Sequence, residues 1–534
     1  MTRFAMIFVL GLLTAWVGAA DQGRDGKTET ASVPLPGPQV ITPFEAADVT
    51  VPPTEIDRLV LARLKELGVA GPPLCSDAVF VRRAYLDVIG TLPTADEARE
   101  FLTDRRADKR KLLIDRLLDR DEFADYWAMK WSDLLRVKAE FPVNLWPNAA
   151  QAYHHWILTS VRDNRPYDRF VREMLTSSGS NFHDAPVNFY RAVQGREPET
   201  LAQAVALTFM GMRADKWPAD RLAGMAAFFS QVGYKSTGEW KEEIVFFDQS
   251  KALKGPAIFP DGTPAKVEPG QDPRRVFADW LLKPGNPYFA KNICNRVWSW
   301  LLGRGIVHEV DDIRADNPPS NPELLAYLER EFVASDYNMR KLCRLILNSQ
   351  TYQRSSIERT RSAQADANFA HYPLRRLDAE VVSDAICQIT GTHEQYTSAI
   401  PEPYTFIPQE QRSIALPDGS IGSAFLELFG RSPRDTGLES ERSNKPTAGQ
   451  RLYLLNSTHV QKKLESRGPL QAVLNSKKTG REVVADVYLT ILSRYPTDQE
   501  FAAVTKYTQV NKPRDAMIDL SWALINSAEF LYRH

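Results

Sequence analysis

The sequence predicts a predominantly α protein: two multi-helix regions joined by a small β-hairpin segment. Three observations carry that expectation. Apolar residues recur at intervals of three and four through most of the chain, the spacing of a one-sided helix. Helix boundaries are marked by Thr, Ser or Asn ahead of a run and Gly behind it. One stretch, residues 239–271, breaks the habit with a strand-like run and a turn.

Residues 1–20 read as a secretory signal. Arg3 supplies the positive start, residues 4–17 are apolar apart from Gly11 and Thr14, and Gly18-Ala19-Ala20 offers the small residues of a cleavage site after Ala20. An uncleaved spanning helix needs roughly 20 apolar residues, more than this run provides. No cysteine follows the cleavage site to take a lipid, and no later segment is long and apolar enough to span. The expected location is therefore extracytoplasmic, in the periplasm or at the cell surface. Residues 21–50 mix Gly, Thr, Pro and Ala without a hydrophobic period and are expected to form an unstructured linker.

The first helical region covers residues 51–238. Thr54 with Asp57 opens a helix whose face is Ile56, Leu59, Val60, Leu64 and Leu67, and Gly68 stops it. Ser76 caps the next, which ends at Gly90. Thr94, with Glu97 three residues on, has the spacing of a capping box. Helices follow at Lys109–Leu118, 122–137, 148–163, Tyr167–Thr176, 197–212 and 219–231. In the linker, residues 244–247 read as a strand and Pro260-Asp261-Gly262 as a turn.

The second region, residues 272–534, reopens with Phe289, Ile293, Val297, Trp300 and Leu301 on one helical face, closed by Gly303. Asn321 and Pro322 start another helix, running to about Val333. Helices are expected at Met339–Leu347 and Ala379–Thr390. Residues 392–447 are rich in Pro, Gly and Ser and too long for an ordinary connection, so they form a functional loop or are partly disordered. Helices return from Gly449. One internal echo stands out: Tyr85-Leu86 precedes Pro93-Thr94-x-x-Glu97 as Tyr488-Leu489 precedes Pro496-Thr497-x-x-Glu500. Glu122-Phe123 and Glu529-Phe530 follow the two copies.

Charge and cysteine content exclude several classes. Lys plus Arg total 66 against 67 Asp plus Glu, with no long basic run, so nothing recruits nucleic acid. Cys75, Cys294, Cys343 and Cys387 form no C-x-x-C pair and no zinc spacing; disulfides are permitted by the address but not specified. G-x-x-x-x-G-K, G-x-S-x-G and H-E-x-x-H are all absent.

Several long stretches carry a family resemblance. They include I-D-R-L-V-L-A-R-L and F-V-R-R-A-Y-L-D-V-I-G-T-L-P-T near the start of the first region. In the second region they are N-P-Y-F-A-K-N-I-C-N-R-V-W, L-L-G-R-G-I-V-H-E-V-D-D-I-R, F-G-R-S-P-R-D-T and W-A-L-I-N-S-A-E-F-L. The chain resembles planctomycete surface proteins that pair the second planctomycete cytochrome C domain with a planctomycete-specific companion of unknown function. In that family a C-x-x-C-H-x-H-P-F stretch sits between the equivalents of Arg213 and Asp215. Here only Ala214 stands there, so the thiols and histidine that c-type haem attachment requires are missing. No cofactor is expected.

The best candidate site is His308-Glu309-Val310-Asp311-Asp312 with Asp316, acids that can pair with Arg296 or Arg304 or can contact a ligand. Arg434 and Arg442 are forked cations suited to a carboxylate or sulfate. The candidate binding residues are thus Arg296, His308, Asp311, Asp312, Asp316, Arg434 and Arg442, with no metal assigned. The leading expectation is an exported, cofactor-free binding or scaffold protein whose partner is an extracytoplasmic protein or polysaccharide. The alternatives are an enzyme on extracellular polysaccharide or sulfated material and a redox-chain component. Convergence of Asp311, Asp312 and Arg434 in one concavity would favour the enzyme.

Overall fold

A computed structural model describes residues 40–46, 49–466 and 468–534; the signal segment and most of the linker lie outside them. Among the described residues, 25 helices dominate and strand is confined to sheets of two and three short strands. Residues 40–46, inside the segment expected to be unstructured, instead pack. Glu45 bridges Cys75 and pairs with Arg359 at 2.6 Å.

Helix boundaries follow the local signals closely where a cap residue is present. Ser76, Thr94, Asn321, Thr447, Thr479 and Thr497 each accept a backbone N–H of the first turn. The helices at Lys109–Leu118, Tyr167–Thr176, Phe289–Leu302, Met339–Leu347 and Ala379–Thr390 fall where expected. Gly303 ends Phe289–Leu302 at φ +75°, a left-handed turn that glycine adopts without a Cβ penalty.

Three expectations need correction. The helix at 197–212 is regular only over Pro198–Val205; Ala206–Met210 widens into a π turn that stops at Gly211. The helix expected over 219–231 ends at Ala226, passes through a 3-10 turn at Ala227–Phe229, and gives way to a strand. That strand, β2 (Val232–Ser236), is the partner of β3 (Glu243–Phe247), with β1 (Gly179–Ser180) on the other edge in the antiparallel order β1-β3-β2. The hairpin thus turns at residues 237–242. The Pro260 turn closes only a single bridge between Ile258 and Pro264. The expected helix runs five residues too long because the apolar Ala227, Phe228 and Phe229 continue its spacing, and the strand that follows was not expected.

The long stretch 392–447 packs against both regions, through short turns at Ser413–Ala415, Ala424–Leu428 and Glu439–Glu441 and with Gly419 N–H on Val137 carbonyl at 2.9 Å. It buries Ile414, Leu416, Ile421, Phe425, Leu426 and Phe429. The buried Asp384 carboxylate accepts Ser413 N–H at 2.7 Å and Ile414 N–H at 3.1 Å, fixing the turn.

One apolar cluster runs from Ile56 to Phe530 across both regions. At the seam, Trp127 and Trp131 each meet Trp300 edge-on at 5.6 Å. Polar groups cross the same seam. Arg82, buried, donates to the carbonyls of Ile491 and Phe530 at 2.8 and 2.9 Å. Asp87 accepts from Tyr352, Tyr372 and Arg375 at 2.7–2.9 Å. Two short strands, β4 (Arg375–Arg376) and β5 (Tyr532–Arg533), pair beside it. All four cysteines are free, and Cys75, Cys294 and Cys343 are buried.

Candidate functional site

The predicted residues separate into two groups. Arg296 and Asp311 are buried and paired at 2.7 Å; the second Asp311 oxygen accepts Glu439 N–H at 2.7 Å, and Glu439 also takes Trp300 Nε1–H. On the other side of the 431–442 segment, Asp133 lies between Arg434, at 2.9 Å, and Arg442, at 2.6 Å. Arg442 donates onward to Glu380 at 2.6 Å. Burial alone would raise the Asp133 carboxyl, but Arg442 and Arg434 outweigh it and hold it below its usual value. The void lined by Asp133, Glu439 and Arg442 is only about 20 Å³, space for one water. These four predicted residues are therefore neutralised inside the protein, Arg296 and Asp311 by each other and Arg434 and Arg442 by Asp133 and Glu380.

His308, Asp312 and Asp316 lie outward. His308 faces Glu309 at 3.3 Å, and burial together with Arg304 lowers its pKa. Asp312 and Asp316 both pair with Arg314, at 3.2 and 3.4 Å, rather than with Arg304. Of Asp311, Asp312 and Arg434, Asp312 alone lines the cleft formed by residues 212–221 and 307–319, and none lines the void beside Asp133.

Asp312 is the single acid in that cleft, of about 590 Å³. One wall is residues 212–221, the other residues 307–319, and Tyr288 and Lys291 form the floor. The walls are tied where the π turn ends, since Gly211 carbonyl accepts Ile313 N–H at 2.8 Å. A Cβ at Gly211 would stand 2.6 Å from Asn292 Oδ1, so the close approach itself requires glycine. Five cations line the cleft: Arg213, Lys216, Arg221, Lys291 and Arg314. Arg314 is neutralised by its acids, but none of the other four pairs with a carboxylate among the described residues.

Each cation has a distinct setting. Arg213 Nε is buried without a hydrogen-bond partner. Arg221 stacks on Trp217, 3.9 Å from the ring centre, and donates to Pro260 carbonyl at 3.2 Å, which fixes its plane. Lys216 is exposed at the end of the 3-10 turn Ala214–Lys216. Burial raises the pKa of Tyr288, so its hydroxyl remains a donor. The cleft can hold an anion by several charges at once while an aromatic face stacks against its body.

Sequence reasoning missed Arg213, Lys216, Trp217, Arg221, Tyr288 and Lys291. The signal was present: R-A-D-K-W-P-A-D-R sits in the segment read for the thiols it lacks. What remains there is a basic, aromatic wall.

Residues 55–232 match the PSCyt2 model, described as a protein of unknown function (DUF1549). Residues 273–508 match the PSD1 model, described as a protein of unknown function (DUF1553). These are the two paired planctomycete domains expected from the sequence. No curated protein and no solved structure matches the chain. One wall of the cleft falls in the first match, and the floor and second wall in the other.

Proposed function

We propose that this chain, which carries the PSCyt2 and PSD1 domains in tandem, is an exported, cofactor-free binding protein for anionic polymer outside the cytoplasm. The cleft between its two domains is the ligand site. The carrying observation is that Arg213, Lys216, Arg221 and Lys291 line one cavity with Trp217 and Tyr288, none of the four in a salt bridge among the described residues, while the one acid of the lining, Asp312, pairs with Arg314. Concave sites between domains with a few convergent polar groups are where ligands bind. A sulfated or carboxylated polysaccharide segment fits that lining, its charges meeting the cations and a ring face meeting the indole.

Export rests on the residues 1–20 signal, so native protein should begin at Asp21 by N-terminal sequencing. Binding is tested by titrating a sulfated polysaccharide and its desulfated counterpart by calorimetry. Wild-type protein should prefer the sulfated polymer and lose affinity as salt rises. The pair Lys216→Ala/Lys291→Ala, one exposed and one half-buried, should bind at least tenfold more weakly while the melting temperature stays close to that of the wild type. Equal affinity for the neutral polymer, or an unaffected double variant, would sink the proposal.

A further inference from the structure

A second candidate site lies away from the cleft, in the loop between Ser355 and Tyr372. Both ends of this loop are pinned: Ser355 N–H bonds to Pro73 carbonyl at 2.9 Å and Tyr372 N–H to Ser355 carbonyl at 3.1 Å. Tyr372 is held further by its hydroxyl on Asp87, so the preceding residue, His371, has little freedom. Its imidazole is 7% exposed and makes no hydrogen bond. Its Nε2 stands 3.6 Å from Asp366 Oδ1, beyond hydrogen-bonding reach. Glu358 completes the group, and one ligand atom from each residue lies within 4.8 Å of the others.

We propose that Glu358, Asp366 and His371 form a binding site for a divalent transition-metal ion, with zinc the ion that fits best. The ring is held in a buried position against the Asp366 carboxylate, 3.6 Å away, and a metal bond would join two groups that no hydrogen bond joins. One nitrogen and two carboxylate oxygens suit zinc, whose ligands stand at roughly 2.0–2.2 Å. They do not suit calcium, which takes six to eight oxygens. Closing the present spacing to that distance needs movement of Glu358 and Asp366 only. Their side chains are 42% and 58% exposed, and Arg361, 3.4 Å from Glu358, is exposed enough to swing away. The serine-capped helix Ala363–Ala367 carries Asp366, so the ion would staple the loop to the buried Tyr372.

The test uses tag-free, chelator-treated full-length protein titrated with zinc by calorimetry and thermal melting. One zinc per chain with a raised melting temperature is expected, because native-state binding stabilises by linkage. Asp366→Asn, at an exposed position, should fold normally and weaken zinc at least tenfold; His371→Gln should remove the site. Failure to bind zinc, an unchanged affinity in Asp366→Asn, or calcium binding as tight as zinc would each overturn the assignment.

Discussion

The first and second regions each contain a Tyr–Glu–Arg–Glu cluster at the same kind of helix turn, and the two differ chiefly in burial. In the first, Thr94 and Glu97 form a capping box, and Arg120 joins Glu97 at 2.8 Å and Glu122 at 2.5 Å beneath the Tyr85 ring. In the second, Thr497 and Glu500 form the box, and Arg494 joins Glu500 at 2.8 Å and Glu529 at 2.6 Å beneath Tyr488. The arginine enters from different places: just ahead of Glu122 in one, just after the helix Gly480–Leu492 in the other. What repeats in sequence is the Tyr-Leu pair, the box and the Glu-Phe dipeptide, while the arginine does not. A capped turn with two acids facing one another calls for a cation, and the chain supplies it from whichever segment passes by. Arg120 is 29% exposed, whereas Arg494 is 6% exposed. The same chemistry thus does a surface job in one region and a core job in the other.

That difference sets the size of four expected effects. Arg494→Met should be the largest, costing about 3–5 kcal/mol by denaturant unfolding, since it strands two acids in a confined site. A loss near that of Arg120→Met would break the comparison. Next is acid. Burial would raise Glu529, but Arg494 outweighs it and keeps the carboxyl below its usual value. A depressed carboxylate contributes stability above its unfolded pKa of about 4.3 and loses it as pH falls through the folded value. Glu529→Gln should therefore flatten the fall in stability between about pH 5 and pH 3, measured as unfolding midpoints across that range.

Smaller effects sharpen the contrast. Thr497→Ala and Thr94→Ala each remove a cap and should cost about 1 kcal/mol apiece, Thr497 the more because its Glu500 is less exposed. Equal costs would mean that the box works independently of its arginine. The smallest is Arg120→Met, at or below about 1 kcal/mol, and it should vanish in 1 M salt while the Arg494 effect persists. Melting curves at two ionic strengths decide it.

The legibility of the sequence followed the same division between local and distant causes. Capped helices were readable because Ser76, Thr94 or Asn321 and the residues they bond lie within three positions. The echo was readable for that reason too, although the arginine that completes each cluster was not. Pairing of Asp311 with Arg296 was foreseen, since helix and loop are joined through Gly303. Strand β2 was not, because its pairing with β3 decides its conformation more than its own residues do. The cleft was hidden for a related reason: Arg213 and Lys291 become neighbours only when Ile313 docks on Gly211.

The seam bonds of Arg82 set a timetable for synthesis. Its two acceptor carbonyls, at Ile491 and Phe530, lie 409 and 448 residues downstream. At bacterial elongation rates of about 5–20 residues per second, roughly 20–80 s pass before the nearer one is made. We expect the helix Asp77–Val88 to close its core fully only once Ile491 and Phe530 arrive to accept from the buried guanidinium. A nascent chain stalled anywhere before Ile491 should remain protease-sensitive over residues 55–232 and lean on holding chaperones. The matched segment ends at residue 232, whereas the bonds of Arg82 tie its helix to the far end of the chain.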